Sequence, residues 1–79
     1  MRVTMINAEI RGHEIKTNKN NEQYVLVRVE DETGKSEELC DKDISRAEYY
    51  KRGTVGDLTL DISIGKYTTI RIIDFKVTK

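Results

Sequence analysis

Leu58-Thr59-Leu60-Asp61-Ile62-Ser63-Ile64-Gly65-Lys66-Tyr67-Thr68-Thr69 is the stretch whose pattern decides the fold. Leu58, Leu60, Ile62 and Ile64 alternate with Thr59, Asp61 and Ser63, the period of two of a half-buried strand. A further strand pattern runs from Thr68 to Val77, and its apolar phase changes between Ile72 and Ile73, which predicts a bulge or burial on both faces. Between the two strands lies a hairpin tip carrying Tyr67 beside Lys66. A bulky aromatic is hard to bury at such a tip on a small β-domain. Stacking on an unpaired nucleic-acid base accounts for an aromatic placed there.

Toward the N-terminus the same alternation recurs. Val3 to Ile10 reads as a strand with Thr4, Ile6, Ala8 and Ile10 on one face. It continues through Arg11-Gly12-His13 toward Ile15, and Gly12 permits the bend by which one strand serves two sides of a closed barrel. Thr17 to Glu22 is a polar, asparagine-rich turn. From Tyr24 to Glu30, Val25, Val27 and Val29 point one way and Tyr24, Leu26 and Arg28 the other. Asp31 to Lys35 is a turn whose Gly34 suits positive φ. Glu37 to Asp41 predicts a short third strand carrying Leu39. Asp43 to Arg52 predicts two to three helical turns, capped by Asp43, with Ile44 and Ala47 facing inward and Arg52-Gly53 at the end. Tyr49 and Tyr50 are adjacent on that helix, so one belongs to the core and the other is half-exposed. Three strands, a short helix and a hairpin make an all-β chain with a small α element. That order is the five-stranded OB-fold Greek-key barrel with its helix between strands 3 and 4. A five-stranded SH3-like barrel is the competing pattern.

Seventy-nine residues, 1–79, make one domain. A chain of this size buries only roughly 60% of its unfolded surface, so association with a second copy helps it. Cys40 is the single cysteine and cannot form an internal disulfide, which fits a reducing compartment. It reads as a small buried side chain on the third strand. No signal peptide or membrane span is expected, so the expected setting is cytoplasmic. Formal net charge is zero, but the charge is unevenly spread. Residues 1–20 carry four positive and two negative side chains, residues 21–50 four and nine, and residues 51–79 six and three. A barrel that brings its first and last strands together would gather basic segments on one side and turn the acidic run from Glu30 to Asp43 elsewhere.

Catalysis is not expected. His13 and Cys40 are far apart in sequence, and no phosphate-cradling glycine loop is present. Asp41-Lys42-Asp43 reads as a solvated strand end rather than a metal site. No cofactor, metal, membrane or small-molecule substrate is implied. The binding inventory is richer. Tyr24 begins the second strand after the loop containing Lys16 and Lys19, and it shares the outer face with Leu26 and Arg28. Lys66 and Arg71 flank Tyr67 with charges that phosphates would neutralise.

Three segments, Tyr24-Val25-Leu26, Tyr50-Lys51-Arg52-Gly53 and Ile64-Gly65-Lys66-Tyr67, resemble the single-stranded-DNA-binding proteins of filamentous phages, the gene V protein type. The resemblance covers the chain from about Ile15 onward, and the spacing from Tyr50 through Gly53 to Tyr67 matches that family without a gap. It implies an OB barrel and a two-fold dimer that coats single strands cooperatively with little sequence preference. It implies that Tyr24 and Leu26 lie near bases, that Tyr67 stacks on DNA from the partner subunit's side, and that Lys19 is a basic loop contact. Glu14 departs from the pattern, standing where a basic side chain is expected, and the neutral total departs from the family's positive balance. The expectation is a non-enzymatic homodimer binding single-stranded DNA, serving replication or transfer of a phage, plasmid or other mobile element. Lys16, Lys19, Arg28, Lys66 and Arg71 would meet phosphates, and Tyr24, Tyr67 and Leu26 would meet bases or sugars. Single-stranded RNA is an alternative ligand. A protein-interaction module using the acidic 30–43 face is the reading from another class.

Overall fold

β1 (Arg2–Thr17) pairs antiparallel with two different strands, and that dual pairing closes the barrel. The computed structural model describes every residue from Met1 to Lys79. The other elements are β2 (Gln23–Glu30), β3 (Ser36–Asp41), a single 3-10 helix (Ile44–Tyr49), β4 (Val55–Ser63) and β5 (Thr69–Val77). The strands close in the order β1-β2-β3-β5-β4, with all neighbours antiparallel except the short parallel β3–β5 contact. This is the expected five-stranded barrel with its helix between β3 and β4. β1 and β5 both flank β4 and do not pair with each other, so the basic ends are not gathered by contact of the first and last strands. No helix is long and apolar enough to cross a membrane.

Three bulges shape the wall. Arg11 is the extra residue where β1 passes from Ile10 to Gly12 against β2, at the bend expected of Gly12. Ile73 is the extra residue where β5 meets Thr59 and Leu60, as the phase change at Ile72–Ile73 predicts. The third was not legible. Between Met5 and Ala8 the register against β4 slips by one, and Asn7 takes a left-handed φ of 54°. The Asn7 backbone N–H donates to Asp57 and its side-chain amide to Glu32, which hold the bulge in place. The slip reverses the side-chain phase. Met5, Ala8 and Ile10 therefore line the interior, while Thr4 and Ile6, expected on the same face as Ala8, point outward.

The core contains Ala8, Ile10, Val25, Val27, Val29, Leu39, Tyr50, Leu58, Leu60, Ile72 and Phe75. Burying each aliphatic side chain is worth roughly 1.5–3 kcal/mol, which is why the valine and leucine alternations fix the inner face. Gly56 has no room for a side chain: a Cβ would lie 2.4 Å from the Lys76 carbonyl oxygen.

The helix differs from expectation. It is one six-residue 3-10 segment rather than two to three α-turns, and Ile44 is largely exposed instead of facing inward. Asp43 is the N-cap as expected, accepting from the Ser45 backbone N–H and hydroxyl. Ala47 packs against the core, and Tyr50, the residue that ends the helix, drops into the barrel against Phe75, ring centroids 5.3 Å apart. Tyr50 is fully buried and Tyr49 half-exposed, the division expected of that pair.

Candidate nucleic-acid interface

Cross-strand register decides which side chains share the outer wall. One row runs Glu14, Leu26, Cys40, Arg71 and Asp61 across all five strands. A second row places Gly12, Arg28 and Glu38 side by side. A third pairs Lys16 with Tyr24, and Lys42 follows the end of β3 beside them. Tyr24 and Leu26 are half-buried and Arg28 is exposed, while Val25, Val27 and Val29 fill the barrel. Lys16, Tyr24, Leu26, Arg28 and Arg71 therefore lie on one face. Lys19 sits in the β1–β2 turn, where the Asn18 side chain accepts from the Asn20 and Glu22 backbone N–H groups. Lys66 and Tyr67 sit at the β4–β5 tip. Tyr67 is 75% exposed, and the Lys66 ammonium lies 5.8 Å from its ring centroid.

Two shallow grooves join these parts. One, of about 230 Å³, lies between Asn18, Tyr24, Cys40 and Lys42. The other, of about 550 Å³, lies between Cys40, Lys42, Thr69, Ile70 and Arg71. Together they trace a path from the β1–β2 turn toward the hairpin tip. Cys40 is at its centre, only partly buried on the outer face, because its neighbours Leu39 and Asp41 take the inward positions. The expected buried cysteine is thus corrected. Burial and then the adjacent Asp41 charge raise the thiol's pKa, so it stays protonated.

The cations of this face are not equally available. Arg28 donates to Glu14 at 3.1 Å, and Lys16 lies 4.0 Å from the same carboxylate. The guanidinium also lies over Gly12, where a Cβ would come within 3.0 Å of it. Arg71 donates to Asp61 at 3.1 Å. Lys19, Lys42 and Lys66 have no carboxylate within 4 Å.

Beneath the path is the feature the sequence concealed. Asp41 is completely buried, not a solvated strand end. It accepts two hydrogen bonds from Arg46, at 2.7 and 3.0 Å, and one from the Tyr50 hydroxyl at 2.5 Å. The Asp43 backbone N–H adds a fourth at 2.9 Å. A buried carboxylate needs such partners. Burial, then the bond to Asp41, drives the Tyr50 pKa far above its ordinary value, and the same carboxylate raises that of Arg46. The signal available was the spacing: Asp41, Arg46 and Tyr50 lie five and nine residues apart across a capped turn. The acidic 30–43 run is consequently no single face. Asp41 is internal, Asp43 caps the helix, and Asp31 organises its own turn through Thr33 and Lys35.

A closed Greek-key barrel of five strands, with its helix between β3 and β4, is an OB-fold. The same fold is found in the crystal structure of the mitochondrial single-stranded DNA binding protein of S. cerevisiae, Rim1, with a TM-score of 0.76. The similarity covers 100% of this chain and 96% of that one, at 16% sequence identity. No protein-family model and no curated protein sequence matches the chain.

Proposed function

We propose that this chain binds single-stranded DNA with little sequence preference, along the outer face between the β1–β2 turn and the β4–β5 tip. The observation that carries the reading is Tyr67, a tyrosine left three-quarters exposed beside an unpaired ammonium at the β4–β5 tip, beyond the grooves that run from Tyr24 to Ser63 and Thr69 at the base of that hairpin. Tyr24 and Tyr67 stack on bases and Leu26 packs on a sugar or base. Lys16, Lys19, Arg28, Lys66 and Arg71 neutralise phosphates. Every base has a π-face, so stacking of this kind discriminates little among sequences. The OB-fold shared with a single-stranded DNA binding protein is consistent with this use. The chain acts by binding rather than catalysis.

The finer part of the reading follows the gene V type resemblance. The working unit is a homodimer, and its setting is the cytoplasm, in replication or transfer of a phage, plasmid or other mobile element. Gel filtration would find twice the chain's mass; a monomer with and without oligonucleotide contradicts the dimer. Anisotropy of a labelled oligo-dT, titrated at several salt concentrations, tests the binding. The expected log–log slope is on the order of −0.7 per phosphate neutralised, with duplex DNA a poor competitor. Absence of binding at low salt refutes the reading. Equal competition by oligo-rU would assign the ligand as single strands of either sugar, since stacking and phosphate contacts leave the 2′-hydroxyl unread.

A further inference from the structure

Lys42 belongs to none of the contacts assigned above, yet it lines three of the four grooves on this molecule. It shares one with Tyr24 and Asn18, and another with Thr69 and Arg71. The third, of about 580 Å³, it shares with Arg46, Arg71 and Ile73. Its side chain is exposed because Asp41, one residue earlier, turns into the core. The backbone beneath it is held on both sides. Asp41 is fixed by Arg46 and Tyr50, and Asp43 by Ser45 and by its own N–H bond to Asp41. A flexible cation therefore projects from a fixed pedestal at the meeting point of the grooves.

Lys42 is the one charge of this hollow without a counter-ion. Arg46 and Arg71 line it as well, but Arg46 is held by Asp41 and Asp43 and Arg71 by Asp61. The two carboxylates beside it are already engaged, Asp41 by Arg46 and Tyr50, Asp43 by Ser45 and by Arg46 at 3.6 Å. Arg28 and Arg71 must first leave Glu14 and Asp61 before they meet a phosphate, whereas Lys42 leaves only water. An ammonium on a four-carbon stem reaches a mobile phosphodiester without demanding a bidentate geometry.

We infer that Lys42 is the central phosphate contact of the strand path, bridging the segment stacked near Tyr24 to the segment stacked at Tyr67. This rests on the single-strand reading above and adds a residue and a polarity of charge to it. The test compares oligo-dT binding by the wild type, Lys42→Ala, Lys42→Arg, Arg28→Ala and Arg71→Ala across a salt series, with thermal melts alongside. Lys42→Ala is expected to melt like the wild type and to lose on the order of tenfold in affinity near about 50 mM salt, with a slope shallower by about 0.7. Lys42→Arg restores both, and each arginine variant loses less than Lys42→Ala. A wild type that binds while Lys42→Ala binds equally, with an unchanged slope, overturns this inference and leaves the single-strand reading standing. An arginine variant that loses more than Lys42→Ala also overturns it. A wild type that binds no oligo-dT at low salt overturns both.

Discussion

Tyr50 and Tyr67 are the same residue in opposite circumstances. Tyr50 is fully buried, stacked on Phe75, its hydroxyl bonded to a buried carboxylate that also holds Arg46. Tyr67 is 75% exposed, with only a lysine ammonium near its ring. Around Tyr50 every buried side-chain polar atom has a partner. Around Tyr67 the residue is exposed, and the Lys66 ammonium over its ring has no carboxylate partner. The difference separates two uses of an aromatic on one barrel. Where contacts are complete the residue holds the fold, and where they are empty it is free for a ligand. The two regions are also linked through the backbone, because Asp41 anchors the strand end from which Lys42 emerges.

Substitutions sharpen that contrast, and the greatest effect belongs to the buried side. Asp41→Ala leaves Arg46 and the Tyr50 hydroxyl without their common acceptor. Breaking a buried ion pair from one side destabilises by roughly 3–5 kcal/mol. In a domain this small, that lowers Tm by more than about 12 °C in a calorimetric or circular-dichroism melt. A fall of only a few degrees would mean that the network contributes little.

Tyr50→Phe removes one hydrogen bond to a charged acceptor and is expected to cost about 1.5–3 kcal/mol in urea unfolding. Its pH dependence carries a sign. The folded state holds the Tyr50 proton far above its ordinary value, whereas the unfolded state releases it near pH 10. The contribution is therefore complete below about pH 10 and is lost as pH climbs beyond it. Wild-type stability should fall in that alkaline range, and the gap to Tyr50→Phe should narrow. A gap independent of pH up to 12 contradicts the assignment.

Tyr67→Ala should reverse the pattern. Melting stays within about 0.5 kcal/mol of the wild type, as for a surface substitution. Oligo-dT affinity weakens by about 1–3 kcal/mol, roughly 5- to 150-fold. Loss of stability with binding intact would assign this ring to the fold as well, and the contrast would collapse.

The smallest effect lies on the β1–β2 side of the wall. Glu14→Gln frees Arg28 and Lys16 from their shared carboxylate. An exposed ion pair is worth roughly 0.2–1 kcal/mol, so affinity for oligo-dT should rise by a few-fold at most, with a steeper salt slope. Weaker binding would mean that Glu14 orients those cations rather than competing for them.

Much of the wall was legible because burial imposes period two. Val25, Val27 and Val29 against Tyr24, Leu26 and Arg28, and Leu58 and Leu60 against Thr59 and Asp61, stand as their alternation predicts. The Ile72–Ile73 phase change was readable for the same reason. The pattern fails at the end of β4, where Ile62 is only half-buried and Ile64 lies beyond the strand and exposed. Asn7 was not. A polar residue at the edge of a strand pattern gives no sign that its backbone turns left-handed, and that turn moved Thr4 and Ile6 off the inner face. Asp41 was misleading because polarity normally marks solvent, and its partners are set by a 3-10 turn shorter than the expected helix. The pairings Glu14–Arg28 and Asp61–Arg71 depend on cross-strand register between distant segments, which local pattern does not supply. The place of Lys42 is hidden in the sequence for a related reason: its outward aim follows from the burial of its neighbour.

The four tyrosines of this chain permit a single decisive observation, by following their ring resonances in an NMR titration with oligo-dT at low salt. The Tyr67 and Tyr24 rings should shift progressively as bases stack on them, while the Tyr50 ring, enclosed by Phe75 and Asp41, stays where it is. Saturation of the oligonucleotide with the Tyr67 ring unmoved, or with Tyr50 moving in its place, would contradict an interface built on the exposed face of the barrel.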